Sequence, residues 1–282
     1  MWQSVRSSVY VDLHLHLLPA IDDGPVDEAA SLAFASRLAA DGVREATVTP
    51  HIGHPDYPFD VAEIPLRTRA LQRALDRESV ALRLRAGGEI HPTAASRLGL
   101  AELDVIAHGP TGARWVLLEV PFAGVDAAFL AACRHIRARG FGLLIAHPER
   151  ARGLSSGGLA LLRSELEAGA LLQVNACSLL GRHGEEAQAA AVRLIASGLA
   201  YVVASDGHGC EGRDHSLRAG AEALRAIGAS AVQVRRLTEA NPRFLLQHGI
   251  PRQLTPAATR GAGPGSACAS TADSSSGSGA KR

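Results

Sequence analysis

Lysine is almost absent from this sequence. Lysine and arginine together number 29 among 282 residues, yet the single lysine is Lys281. Some hydrolase barrels hold two metal ions with a modified lysine between them, and here no lysine precedes that position. An amidohydrolase barrel of this kind is therefore disfavoured, and only a variant with glutamate as the bridge stays open.

Cysteine is also scarce and irregularly spaced. The four cysteines form no closely spaced pair: Cys133, Cys177, Cys210 and Cys268. They do not indicate a disulfide framework, so we expect a reducing compartment, the cytoplasm. The first residues, MWQSVRSSVYVDLHL, contain no apolar segment followed by a small-residue cleavage site, so no signal peptide is predicted.

Long hydrophobic runs and an excess of charge are missing as well. No stretch approaches the ~18 uncharged apolar residues of a membrane span, so no membrane insertion is expected. The formal net charge is +1. Such a balance gives no reason to expect nucleic acid or a membrane surface as a partner.

What the chain does contain is a regular alternation of short apolar and amphipathic segments. The amphipathic stretches, such as DEAASLAFASRLAADG, often end at glycine, a common helix stop (Gly42, Gly140, Gly198). The apolar segments predict strands: VYVDLHL, EATVTPH, LRLRAGGEI, WVLLEV, GLLIAHP, LLQVNA and YVVASD. Repeated strand-then-helix order predicts an α/β protein with a parallel sheet. About seven such units would close into a TIM-like barrel, and an open doubly wound sheet is the alternative.

The composition changes near residue 250. We predict one domain over residues 1–250. Residues 251–282 are small, polar and rich in glycine, serine and alanine. Such a segment cannot bury enough apolar area to fold, so it is predicted to be a disordered tail.

The predicted strands end in residues that can bind metal ions. His14 and His16 are two positions apart, so on a strand their side chains share one face. Similar residues follow at later strand ends: Asp22, Asp23, His51, Glu89, Glu119, His147, Asp206 and His208. Active sites of barrels and open α/β sheets lie at the carboxyl ends of the strands, so these residues are predicted to converge.

Five histidines and at least four carboxylates are more than one metal ion needs. Hydrolytic sites with several ions hold them about 3.5–4 Å apart through shared ligands. Imidazole and carboxylate without thiolate suit manganese, iron or zinc, and the share of carboxylates favours manganese. We therefore predict two or three ions, most simply Mn²⁺.

These motifs together resemble a known family. The series DLHLHLLPAIDDGP, TPHIGHP, GGEI, LLEVPF, LIAHPER, LLQVNACSLLGRHG and ASDGHG is similar to that of PHP-domain phosphoesterases. It is most similar to the bacterial metal-dependent protein-tyrosine phosphatases of the capsule and exopolysaccharide type (CpsB/YwqE type). The match runs in order from about residue 10 to 245 and implies a distorted (β/α) barrel with a trinuclear metal centre.

The resemblance implies three ligand sets. One metal would be bound by His14, His16, Glu89 and Asp206. A second would be bound by Glu89, Glu119 and His147. A third would be bound by Asp23, His51 and His208, although from the sequence alone Asp22 could take the place of Asp23. Arg150 and Arg213 match the family's phosphate-binding arginines.

The implied reaction is hydrolysis of phosphotyrosine in a protein, with a bacterial tyrosine kinase that controls polysaccharide export as the expected partner. A PHP-type phosphatase of a small ester such as histidinol phosphate is the alternative. A non-catalytic regulator that keeps its metals for structure is a third possibility. A cysteine phosphatase is rejected, because Cys133 and Arg139 lie in an amphipathic helical stretch without a glycine-rich phosphate loop.

Overall fold

The barrel strands follow the apolar segments of the sequence. The computed structural model describes residues 9–210, 212–213 and 216–250, apart from the side chain of Ser156. The strands are β1 (Tyr10–Leu15), β2 (Val43–Val48), β3 (His51–Ile52), β4 (Arg83–Ala86), β5 (Glu89–Ile90), β6 (Trp115–Glu119), β7 (Gly142–Ala146), β8 (Leu171–Asn175) and β9 (Ala200–Ala204). The predicted tail, 251–282, lies outside the described residues, so the boundary at residue 250 stays a prediction.

Within the described residues, every pairing between these nine strands is parallel, and the strands form a ring. One sheet has the order β1-β2-β4 and the other has the order β3-β5-β6-β7-β8-β9. In the chain, β3 continues β2 and β5 continues β4. The nine strands of the two sheets therefore occupy seven positions around the ring. The ring closes where the Asp206 N–H donates to the His14 carbonyl and the His16 N–H donates to the Gly207 carbonyl, both at 2.9 Å. The predicted TIM-like barrel is confirmed over the open sheet.

A break in two strands bends the barrel at one side. Pro50, between β2 and β3, has no N–H to donate to the ladder. Opposite it, a Cβ on Gly88 would lie 2.1 Å from Ile52 Cδ1, and a Cβ on Gly87 would lie 2.5 Å from Thr47 Cγ2. A side chain at either glycine would displace these neighbours, so the two glycines favour the close approach of these strand ends, which carry His51 and Glu89.

Helices cover the outside of the ring. They are α1 (Glu28–Ala40), α2 (Ile64–Arg77), α3 (Leu100–Ile106), α4 (Ala127–Ala138), α5 (Leu159–Glu167), α6 (Ala176–Leu179), α7 (Glu185–Ala196), α8 (Leu217–Ala226), α9 (Ala231–Arg235) and α10 (Asn241–His248). Short 3₁₀ or π turns occur at Val61–Glu63, Pro92–Ala94, Pro148–Arg150, Leu154–Gly158 and Arg236–Ala240. Gly42, Gly140 and Gly198 follow α1, α4 and α7 with positive φ, which confirms the predicted helix stops. No helix within the described residues is long and apolar enough to cross a membrane.

The last helix closes one end of the barrel. Inward-facing Trp115 and Leu117 of β6 pack with Leu245 and Leu246 of α10 in a cluster separate from the main core. The Trp115 indole N–H donates to the Leu245 carbonyl at 3.0 Å. Because Trp115 begins its strand, this apolar plug fills the amino end of the barrel. The carboxyl end is left for polar side chains.

Candidate metal centre

All nine predicted ligand residues meet at the carboxyl end of the barrel. They form four groups in which one nitrogen or oxygen per residue lies within 4.8 Å of the others. The groups are His14, His16 and Glu89; His14, His147 and Asp206; His51, Glu89 and Glu119; and His16, Asp23, His51 and His208. Residues separated by almost 200 positions are therefore neighbours, as the strand-end pattern predicts.

The first predicted set is compact and wholly buried. His14 Nε2 lies 3.3 Å from Glu89 Oε2 and 3.2 Å from Asp206 Oδ1. His16 Nε2 lies 3.4 Å and 3.5 Å from the same two oxygens. Each histidine nitrogen thus lies within 3.5 Å of an oxygen of both acids, an arrangement that suits a bound cation.

Asp23, and not Asp22, faces the cluster that contains His51 and His208. Asp23 Oδ1 lies 3.3 Å from His51 Nε2 and 3.3 Å from His208 Nε2. Asp22 instead accepts from His16 Nδ1 at 2.7 Å and from the His51 backbone N–H at 3.2 Å. The two adjacent acids therefore differ in position: one points into the cluster and the other supports the histidines behind it.

Glu89 connects the clusters, and at this point the grouping differs from the predicted sets. Its Oε1 lies 2.9 Å from His147 Nε2, and its Oε2 lies 3.1 Å from His51 Nδ1. Glu119 lies with His51 and Glu89, whereas His147 lies with His14 and Asp206. The predicted set of Glu89, Glu119 and His147 is therefore divided, because Glu119 and His147 belong to different groups.

Several polar atoms in the centre are buried without a hydrogen bond. They are Asp23 Oδ1, Glu89 Oε2, His51 Nδ1 and His147 Nδ1. A buried carboxylate oxygen without a partner costs free energy, and a cation would provide the missing partner. The imidazole and carboxylate donor set, its burial and these unpartnered atoms all fit bound divalent metal.

The charges of the centre also favour a cation. Burial and the nearby charges of Glu89 and Asp206 raise the pKa of Glu119 to about 8. Burial alone would lower the pKa of His14, but the charges of Glu89 and Asp206 outweigh it and raise that pKa to about 9. Without metal, protons on these groups offset the carboxylate charges, and a bound cation would displace them.

Two turns depart from ordinary strand geometry and direct candidate ligands into the centre. His147 follows β7 with φ of 34°, and Asp206 follows β9 with φ of 52°. Non-glycine residues seldom adopt positive φ, and such strain is concentrated at functional sites. The Asp206 N–H pairs with β1, so barrel closure holds this conformation.

Two amides at the end of β8 orient the ligands. Gln173 Oε1 lies 3.1 Å from His14 Nδ1 and accepts from the His147 N–H at 3.2 Å. Asn175 Nδ2 donates to Asp206 Oδ2 at 2.7 Å. No role for Gln173 or Asn175 was predicted from the sequence. The signal was present in LLQVN, where two polar residues share a face of an apolar strand, as His14 and His16 do.

Glu149 is a buried acid beside the centre. Its Oε1 accepts from the Asn175 N–H at 2.9 Å and from Ser178 Oγ at 2.8 Å, while its Oε2 has no hydrogen-bond partner. Burial raises the pKa of Glu149 from 4.5 to about 7. The folded protein therefore favours the protonated form of Glu149, and this form is lost as the pH rises.

Glutamine at position 149 is expected to flatten the pH dependence of stability. Because the folded pKa exceeds the unfolded value, Glu149 contributes stability that is complete below pH 4.5 and is lost as the pH rises through about 7. Glu149→Gln, neutral throughout, should reduce the fall in unfolding free energy between pH 5 and pH 8 by about 2 kcal/mol. Denaturant unfolding at several pH values measures this, with exposed Glu186→Gln as control. If the unfolding free energy of the Glu149→Gln protein fell with pH as steeply as that of the wild type, the prediction would be contradicted.

A cleft of about 510 Å³ opens above the clusters. Two arginines line it, Arg150 beside Asp206 and Arg213 beside Asp23. Arg150 Nη1 donates to Asp206 Oδ2 at 3.0 Å, and its guanidinium lies 4.3 Å from the centre of the Phe122 ring. Arg213 Nη1 donates to Asp23 Oδ2 at 2.6 Å. Guanidinium groups in this position can bind phosphate oxygens in bidentate fashion.

Neither Cys133 nor Cys177 lines this cleft. Cys133 is fully buried in α4, and burial raises the pKa of its thiol to about 12. Cys177 is buried behind Asp206, and burial likewise raises its thiol pKa to about 12. A thiol of such high pKa is not a nucleophile near neutral pH, which supports rejection of the cysteine-phosphatase alternative.

Comparison with known proteins agrees with this geometry. The tyrosine-protein phosphatase YwqE of Bacillus subtilis (strain 168) is 31% identical over 204 residues, which are 72% of this chain and 79% of YwqE. A solved structure from work on YwqE of Bacillus subtilis and CpsB of Streptococcus pneumoniae, described as unique metal-dependent tyrosine phosphatases, superposes with a TM-score of 0.72. It is 29% identical and covers 86% of this chain and 97% of the other.

A more distant structure shares the fold alone. The phosphotriesterase homology protein of Escherichia coli, solved with phosphate in its active site, is 15% identical with a TM-score of 0.57 and covers 84% of this chain and 98% of its own. At family level, residues 10–247 match the family described as "Capsular polysaccharide synthesis, CpsB/CapC". That match spans the barrel from β1 to α10, and the chain therefore belongs to the CpsB/CapC family.

Proposed function

We propose that this protein is a metal-dependent phosphatase that hydrolyses phosphotyrosine in proteins. The observation that carries the proposal is the position of Glu89, which lies wholly buried between several imidazoles and below a cleft with two arginines. The names of its relatives, a tyrosine-protein phosphatase and metal-dependent tyrosine phosphatases, support phosphotyrosine as the substrate class.

The proposed ligands are the nine residues of the centre. His14, His16, Glu89 and Asp206 would hold one ion, and Asp23, His51 and His208 would hold another. Glu119 and His147 would complete the coordination around the two oxygens of Glu89. Manganese is the proposed metal, because hard carboxylate ligands are numerous and no thiolate contributes, whereas iron and zinc are tolerated by the same donor set. When bound, the ions would lower the pKa of a water molecule and neutralise charge on the phosphoryl group.

The two arginines would bind the phosphate and stabilise the charge that develops on it. Arg150 stacks on Phe122 and pairs with Asp206, so its guanidinium is fixed before substrate arrives. Preorganised donors of this kind act without reorganisation during the reaction. The leaving group, a phenolate with a pKa of ~10, departs more readily than an alkoxide. His54, in the cleft lining, is a candidate to protonate it.

The proposed setting is the cytoplasm, and the proposed substrate protein is a bacterial tyrosine kinase that controls capsule or exopolysaccharide synthesis. The family description, capsular polysaccharide synthesis, supports this setting. The near-neutral net charge of +1 agrees with a protein partner and offers no attraction to nucleic acid.

Phosphate release by the purified full chain tests the proposal. The protein is stripped of metal, resupplied with Mn²⁺, and given a phosphotyrosyl peptide and histidinol phosphate in parallel. We expect metal-dependent release with a clear preference for the peptide. A preference for histidinol phosphate would keep the centre but replace the substrate, and release without metal would contradict the mechanism. Far-UV circular dichroism of the stripped protein should show a folded chain, because a purely structural metal would predict unfolding.

Asp22 offers a test of the centre without removal of a proposed ligand. It fixes His16 through Nδ1 and also caps the turn at the Gly24 N–H. Outer partners of this kind typically contribute about 10- to 100-fold to metal affinity. Asp22→Asn, which keeps the shape but removes the charge, should weaken Mn²⁺ binding by about tenfold in a calorimetric titration. Asp27→Asn, at the cap of α1, is the control. Equal affinity in the Asp22 variant and the wild type would contradict the role of Asp22.

A further inference from the structure

Phe122 is an exposed aromatic side chain in a mostly polar cleft. It lies just after β6, and 48% of its surface is accessible. One part of the ring supports the Arg150 guanidinium at 4.3 Å, and the ring centre lies 5.8 Å from that of His147. Support of Arg150 uses one part of the ring, and the rest of the ring stays exposed in the cleft. This exposed part is available to contact a bound substrate.

Tyr57 provides a second ring in the same cleft. Its ring is nearly parallel to that of His51, at 14° and 5.8 Å, and it stacks on His54 at 4.9 Å. The turn that carries Tyr57 is tied back by the Tyr57 N–H, which donates to the His54 carbonyl at 3.2 Å. These contacts hold the ring at the cleft wall.

The two rings approach Glu89 through different histidines. Tyr57 contacts His51, which lies 3.1 Å from Glu89 Oε2, and Phe122 contacts His147, which lies 2.9 Å from Glu89 Oε1. A phosphoryl group above Glu89 would therefore lie near both rings. Since Arg150 rests on Phe122, a phosphate held by Arg150 places its ester group beside that ring.

We propose that Tyr57 and Phe122 form an aromatic clamp, in which the two rings hold the aryl group of the substrate and favour aryl over alkyl phosphates. Aromatic rings attract each other at centroid separations of about 4.5–7 Å, and an alkyl chain such as that of phosphoserine offers no ring for this contact. The clamp deepens the proposed function and rests on it for the substrate class. Both rings determine specificity and take no part in bond cleavage.

Binding of two phosphonates tests the clamp separately from catalysis. Phenylphosphonate and methylphosphonate present the same phosphoryl oxygens, and only the first carries a ring. Calorimetric titration of the Mn²⁺-loaded full chain gives the ratio of their dissociation constants. We expect wild-type protein to bind phenylphosphonate at least tenfold more tightly, and the double variant Tyr57→Ala/Phe122→Ala to lose most of that ratio.

Matched variants separate a ring contact from a general loss of structure. Tyr57→Phe keeps the ring and should keep the ratio. Phe244→Ala removes a ring of similar exposure, 46%, that stacks on His248 at the other end of the barrel, and it should also leave the ratio unchanged. Metal content and thermal unfolding are followed in every variant.

The outcomes distinguish the clamp from the proposed function. An equal weakening of both phosphonates in the double variant would mean that Phe122 acts only by positioning Arg150, and it would overturn the clamp. Wild-type protein that cleaves the phosphotyrosyl peptide but binds both phosphonates equally would overturn the clamp and leave the proposed function intact. Preferential phenylphosphonate binding without peptide hydrolysis would support the clamp and refute the proposed substrate.

Discussion

Glu89→Gln is expected to lower kcat/KM for a phosphotyrosyl peptide by about a thousandfold, the upper range for the loss of one preorganised charge contact in an active site. Glu89 has no solvent exposure, and its two oxygens face His14, His16, His51 and His147. Glutamine preserves the size of the side chain but offers one neutral oxygen and one N–H donor group. The donor group would be unable to bind a cation. The measurements are steady-state phosphate release with Mn²⁺ and metal content after dialysis. We expect the amount of bound metal to fall together with activity.

A second buried glutamate serves as the control for Glu89. Glu45 lies on β2 with 8% of its surface exposed and pairs with Arg85 at 2.5 Å, away from the cleft. Glu45→Gln should reduce stability modestly and leave kcat and metal content unchanged. Near-normal turnover in a well-folded Glu89→Gln protein, or in His147→Ala, would refute the assignment of the centre.

Arg150→Ala should lower kcat/KM by about a hundredfold, the lower range for one charge-stabilising donor, with most of the change in KM. The guanidinium is a preformed phosphate donor, because Asp206 and Phe122 hold it from two sides. Its side chain lines the open cleft, so its removal should widen the cleft instead of leaving a closed cavity. Inhibition by inorganic phosphate should weaken in parallel. Metal content should stay at the wild-type value, since arginine is not a ligand.

Arg152→Ala is the matched control for Arg150. Arg152 lies two positions further along the chain, is exposed, and lines a neighbouring groove instead of the metal cleft. Its loss should leave KM unchanged. Arg150→Lys is informative as well, because lysine keeps the charge but lacks the planar fork and the stacking on Phe122. Full recovery of KM in the lysine variant would mean that charge alone accounts for phosphate binding.

Much of the barrel was predictable from local patterns. In β6, Trp115 and Leu117 face inward and are followed on the same face by Glu119, so a single strand encodes both the plug and a candidate ligand. Helix ends were predictable for a similar reason, since Gly42 and Gly140 adopt the positive φ that favours glycine. These features depend on residues close together in the chain.

The internal arrangement of the centre was not predictable from such patterns. Asp22 and Asp23 are adjacent and chemically identical, and only the fold of their turn points one to His16 and the other to His51 and His208. Gln173 and Asn175 acquire a role only because β8 lies between β7 and β9, beside His147 and Asp206. Side-chain chemistry restricts what each residue can do but does not specify its neighbour.

By itself, the sequence determined a parallel α/β fold, the set of ligand-type residues and the strand ends at which they lie, because strand periodicity and strand-then-helix order are local properties. Only the tertiary structure decided how these residues are grouped. Closure of β9 on β1, the bend at Pro50, and positive φ at His147 and Asp206 set which atoms face each other around Glu89. Such distances follow from the stagger and closure of strands that are far apart in the chain, which no short segment specifies.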